Sequence, residues 1–244
     1  MIKFFRRIRQ QLLTENSSAL PAGRFSKYLL YGIGEIVLVV IGILIALAIN
    51  NKNELRKTKQ FEYQILNDIK SSMEGNFFQL DMCLEANAES VASADIILKF
   101  LEDNLPYHDS LAVHFSRSLE WCTPSFQNAG YESLKTYGIN LITNDTIREN
   151  LNIYDSGWME ILGQRQEDFF YNTASPVLAE LFETVVMRGE MKPFDVEQLR
   201  NSKKFISILK TSRAYREDQR YWYEEWEESL ENLNELIDRE LQNQ

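Results

Sequence analysis

Histidine and cysteine are scarce in this chain, with two of each among 244 residues. The cysteines, Cys83 and Cys122, belong to no CxxC or Cys/His cluster of zinc-like spacing, so no structural metal site is expected. His108 and His114 lie too far apart in sequence for the i, i+4 geometry of a helical metal pair. No GxSxG and no P-loop occurs, and Gly32-Ile33-Gly34 sits inside an apolar run where a phosphate loop cannot form. Strand-like alternation bounded by turn signals is also scarce. No basic stripe interleaved with aromatics is present, and a formal net charge of −10 repels phosphates, so nucleic acid is not an expected partner. These absences leave no expected catalytic residue, metal ligand or cofactor, and the chain does not read as an enzyme.

A composition of 44% apolar and 25% charged residues is that of a foldable chain, but the average joins two unlike parts. Residues 1–28 hold six Lys/Arg (Lys3, Arg6, Arg7, Arg9, Arg24, Lys27) against one carboxylate, Glu15, while the remainder carries the excess of Asp and Glu. Between them, Leu29 to Ile49 reads LLYGIGEIVLVVIGILIALAI. That is about 20 residues, enough for a helix to cross the roughly 30 Å hydrocarbon layer of a bilayer. Asn50-Asn51-Lys52 is no small-residue cleavage site, which favours an uncleaved anchor over a signal peptide. The expected organisation is a basic amphipathic tail (1–28), a transmembrane helix (29–50) and a soluble domain (51–244).

In the tail, Ile2, Phe5, Ile8 and Leu12 share one helical face flanked by Lys3, Arg6, Arg7 and Arg9, which suits a helix lying on an anionic membrane surface. A merely charged flank that resists translocation accounts for the same residues and implies the same side. The rule that cytoplasmic flanks carry excess Lys/Arg does not decide orientation, because Lys52, Arg56, Lys57, Lys59 and Lys70 beyond the helix outnumber Arg9, Arg24 and Lys27 before it. A short basic tail is nevertheless hard to export, whereas long domains cross largely regardless of charge, so the tail is expected inside and the domain outside.

MIKFFRRIRQ, followed by KYLLYGIGEIVLVVIGILIAL and INN, resembles an uncharacterised family of single-pass membrane proteins common in flavobacteria and their relatives. The resemblance is close over the first fifty or so residues and loose beyond. The family usually has Gln where this chain has Ala48, and Trp where it has Lys52, so a polar helix contact and an aromatic interface anchor are missing at those points. The resemblance implies a shared anchor and a bacterial envelope location, here the inner membrane with the C-terminal domain in the periplasm. It implies no mechanism.

At 3.6 residues per turn, Tyr28, Gly32, Glu35, Gly42, Ala46 and Asn50 fall near one face, with the large aliphatic residues mostly elsewhere. Small residues four apart, such as Gly42 and Ala46, let helix backbones approach closely, so this face is expected to drive self-association. A carboxylate at the bilayer centre costs about 2.5–3.5 kcal/mol, so Glu35 should be protonated, paired or turned toward a protein or aqueous interior. Helix association, a local contact with Tyr31, and a cation path lined by a ring of Glu35 carboxylates all satisfy that demand.

Beyond the membrane the apolar period is helical almost throughout, giving an all-α fold: one transmembrane helix, then an elongated helical bundle. Leu66, Ile69, Met73, Phe77, Leu80, Leu84, Val91, Leu98 and Leu101 define a helix over about 54–103, weakest at Gly75. Shorter helices are expected over 109–121 and 129–138, the latter ended by Gly138. Thr143-Asn144-Asp145 then caps a helix carrying Ile147, Leu151, Tyr154, Trp158, Leu162 and Phe169, with Ser175-Pro176 as a kink or restart. Phe205, Leu209, Tyr215, Trp222, Trp226, Leu233 and Ile237 define a last helix over 202–241, its aromatics expected in the core. Cys83 and Cys122 are left either as one disulfide or as two buried thiols, since sequence alone does not bring them within bonding distance.

Three readings of function follow. The first is a membrane-anchored, self-associating interaction or structural protein whose partners are the lipid bilayer, copies of itself and other proteins of unidentified kind. The second is a small homo-oligomeric ion or proton channel around a Glu35 ring. The third is an envelope sensor, which would depend on a partner for its output because about 28 residues are too few for a signalling domain.

Overall fold

The computed structural model describes residues 22–155 and 157–243. Its helices are α1 (Ala22–Glu102), α2 (Leu111–Arg117), α3 (Ala129–Tyr137), α4 (Asp145–Asn150), α5 (Trp158–Phe169), α6 (Ser175–Leu181), α7 (Val196–Asn201) and α8 (Lys203–Gln242). Among the described residues there is no β-strand, only an isolated antiparallel bridge between Phe182 and Pro193. The fold is all-α. Two compact units divide the chain, one ending at Lys59 and the other formed by Gln60–Gln244.

In the first unit every residue from 33 to 59 is exposed, including a continuous run of Ile, Leu and Val. So much unpartnered apolar surface is unlike a water-soluble helix, which buries its apolar stripe. The helix is long and apolar enough to cross a membrane, and none of its most apolar stretch is buried within the chain.

The second unit is organised by α8 lying antiparallel to residues 60–102 of α1. Three ion pairs give the register: Lys70 with Asp238, Asp95 with Arg213 (2.6 Å) and Glu102 with Lys210 (3.3 Å). Three apolar clusters follow one another along this pair. One joins Ile65, Leu66, Ile69 and Met73 to Tyr131, Ile147, Leu233 and Ile237. The next holds Leu80, Cys83, Leu162, Tyr223, Trp226 and Leu230. The last packs Ile97, Phe100 and Leu101 against Phe115, Leu178, Phe182, Phe205 and Leu209.

Helix α1 runs unbroken through Gly75. A Cβ there would stand 3.3 Å from the Gln127 side chain, and its neighbour Asn76 clamps that residue's backbone, accepting from Gln127 N (2.7 Å) and donating to Gln127 O (3.0 Å). Gly130 brings α3 closer still: a Cβ would lie 2.7 Å from the backbone nitrogen of Ile69. Gly138 ends α3 with φ 100°, a conformation that glycine adopts without steric cost.

The single helix expected from Asp145 through Phe169 is instead broken. Asn144 does cap α4, accepting from Thr146 N and Ile147 N at 3.1 and 3.3 Å. A 3₁₀ stretch, Leu151–Asp155, follows, and Gly157 at φ 62° turns the chain before α5. A π turn over Phe170–Ala174 then leads into α6, with Pro176 near its start. Proline has no N–H to return to the preceding turn, so the helix accommodates it by widening rather than restarting. Helix α7 was not expected; it is held by Asp195, whose side chain accepts from Glu197 N and Gln198 N at 2.8 and 3.0 Å.

Candidate functional site

The apolar segment carries the first candidate. Wrapped on α1, Gly32, Glu35, Gly42, Ala46 and Asn50 fall within an arc of about 80° at 100° per residue. A Cβ at Gly32 or Gly42 would meet nothing within 4 Å, so this face is open to a neighbouring helix. Glu35 is six residues beyond Leu29, about 9 Å along the axis, and about 6 Å short of the midpoint of the apolar run. Lys3, Arg6, Arg7 and Arg9 lie outside the described residues.

The second candidate is in the domain. Cys83 and Cys122 are joined as a disulfide, their Cα atoms 5.0 Å apart. The bond fastens the buried face of α1 to residues 120–128, a largely half-buried segment without regular structure that packs against both long helices. A buried backbone outside helices has carbonyls and amides that must find partners. Here side chains from both long helices supply them. Ser90 Oγ donates to Glu120 O (2.9 Å), and Asn87 Oδ1 accepts from Cys122 N (3.2 Å). Tyr223 Oη donates to Cys122 O (2.8 Å), and Arg216 donates to Glu120 O (2.6 Å) and Leu119 O (3.4 Å). Burial pushes the Tyr223 hydroxyl up to about 12, which keeps it protonated and able to donate.

These residues form a polar layer between two apolar clusters: Asn87, Ser90, Ser93, Gln166, Ser212, Arg216 and Gln219 are all at most 2% exposed. Arg216 is its centre. It also donates to Gln166 Oε1 (2.6 Å) and lies over the Trp121 ring at 5.9 Å from the centroid. Burial lowers its pKa to about 10, which still leaves it charged at neutral pH.

Two other arginines use the same carbonyl-clamping mode. Arg148 donates to Ile142 O, and Arg200 to Phe100 O and Leu105 O. Each of those also has a carboxylate, Asp145 and Glu197 respectively. Among the described residues Arg216 has none.

Sequence reasoning missed this layer, because Asn, Ser, Gln and Arg at buried positions interrupt the apolar period that marks a core. A signal was present: between Cys83 and Ile97 the inward positions of α1 turn polar just where α8 carries Arg216 and Gln219. Sequence also missed Glu62, 1% exposed, whose Oε1 accepts from Thr143 N and Oγ1 at 2.6 and 2.9 Å. The histidines stay apart in role. His108 pairs with Ser110 (3.0 Å) and His114 with Ser93 (3.1 Å), and no group of three metal-binding side chains occurs among the described residues.

The geometry defines an all-α chain with one helix long and apolar enough to span a membrane, near its N-terminus. Over residues 35–105, from Glu35 to just past the end of α1, the chain is similar to a family of unknown function, DUF6090. No curated protein and no solved structure matches the chain.

Proposed function

We propose that this chain is a single-pass protein of the bacterial inner membrane that self-associates through its anchor and holds its helical domain in the periplasm, where it acts by binding. The observation that carries the reading is the pairing of an exposed apolar stretch of α1 with a disulfide in the domain beyond it. An exposed apolar run of this length finds its partner in lipid. Disulfides persist outside the cytosol and are rare within it, so the bond favours the outward orientation that flanking charge leaves open. Self-association rests on the face formed by Gly32, Glu35, Gly42, Ala46 and Asn50, which permits close helix contact and would bring Glu35 carboxyl groups together across an interface.

The mass of the full-length protein in detergent or nanodiscs, with Glu35→Ala beside it, tests the assembly. The expected result is a defined oligomer that Glu35→Ala weakens at least tenfold in its dissociation constant. A monomer in both samples would remove the association face and leave a simple anchored domain.

A further inference from the structure

On the surface beside the polar layer, a cleft of about 230 Å³ opens between α1 and α8. Asn87 and Arg216 belong to its lining, Ala88, Val91 and Ala92 give it a short apolar wall, and Asp95, Glu217 and Arg220 complete it. Two unmet demands meet here. The Arg216 guanidinium is buried with carbonyl and amide acceptors but no anion, and charges taken out of water are normally paired. Asn87 commits Oδ1 to Cys122 N, which fixes the orientation of its amide and leaves Nδ2 a buried donor without an acceptor.

An oxyanion accepting from both groups would meet both demands, in the charge-assisted geometry for which arginine is suited. The other charges in the lining restrict which anion. Asp95 and Glu217 share one cation, Arg213, at 2.6 and 2.9 Å, and Arg220 is held by Glu224 at 3.6 Å. Arg216 apart, that leaves one excess negative charge near the cleft, which opposes a multiply charged ligand. The Ala88, Val91 and Ala92 side chains offer no hydrogen bonds to replace a phosphate's hydration, but they suit a short aliphatic group.

We propose that this cleft binds a small monocarboxylate, its carboxylate on Arg216 and Asn87 Nδ2 and its aliphatic end against Ala88, Val91 and Ala92. The site would give a displayed periplasmic domain a ligand, yet it stands on the geometry of Gln60–Gln244 alone and does not depend on anchoring or orientation.

Isothermal titration of the full chain in non-ionic detergent with acetate, propionate, butyrate and inorganic phosphate tests it. Because removing Arg216 could unfold the domain, the informative variant is Ala92→Leu, an exposed helix position where the larger side chain fills the cleft without entering the core. The expected result is saturable binding of at least one carboxylate, at least tenfold tighter than phosphate, and reduced at least tenfold by Ala92→Leu while the melting temperature is unchanged. No saturable binding by any carboxylate, binding unaffected by Ala92→Leu, or phosphate as the tighter ligand would each overturn the proposal.

Discussion

Replacing Cys83 by Ser is expected to lower the melting temperature of the domain by roughly 10 °C, and a reductant should bring the parent protein down to the same value. The bond joins positions 39 apart in sequence. Closing a loop of that length removes entropy from the unfolded chain worth about 4 kcal/mol in the chain-entropy treatment. In a domain of this size each kcal/mol corresponds to about 2–4 °C. The expected loss is large but not total, because Asn87 and Tyr223 still hold the backbone of Cys122 from α1 and α8. Thermal unfolding followed by circular dichroism, with and without reductant, measures it. A variant as stable as the oxidised parent would mean that the bond does not constrain the chain.

Arg216→Met should cost about 3 kcal/mol or more, whereas Arg213→Ala, one turn away on the same helix, should cost under about 1 kcal/mol. The first change takes the Arg216 donor from Gln166 Oε1 and Leu119 O and leaves Glu120 O with Ser90 alone, and each buried acceptor left unmet costs about 1–3 kcal/mol. The second breaks an ion pair with Asp95 that solvent already screens, the two side chains being 32% and 51% exposed. Urea unfolding of the two variants gives the comparison directly. Equal costs would show that the polar layer is no more than surface electrostatics continued inward.

The parts legible in the sequence were those written by long apolar periods. Leu66, Ile69, Met73, Leu80, Leu98 and Leu101 are buried on α1 as their spacing requires, as are Phe205, Leu209, Trp226, Leu233 and Ile237 on α8. Within the aromatic run, Tyr223 is the fully buried ring and its neighbour Trp222 only half-buried, a one-residue offset that spacing alone does not resolve. The region between Asp145 and Leu181 was misread because its apolar residues keep helical spacing across a 3₁₀ stretch, a glycine at positive φ and a π turn, none of which alters the period. The polar layer was illegible for a different reason. Asn87, Ser90 and Arg216 are inside because an irregular segment passes between the helices and needs hydrogen bonds, and that segment's path is a tertiary fact.

We propose that a membrane-crossing helix places the disulfide-closed domain in an oxidising compartment. Its most direct test is to quench cells expressing the full chain in acid, denature the protein, and add a mass-tagging maleimide with and without prior reduction. The expected result is no tag before reduction and two after it. Two tags without reduction, on protein taken from its own membrane, would show Cys83 and Cys122 as free thiols and contradict the outward orientation.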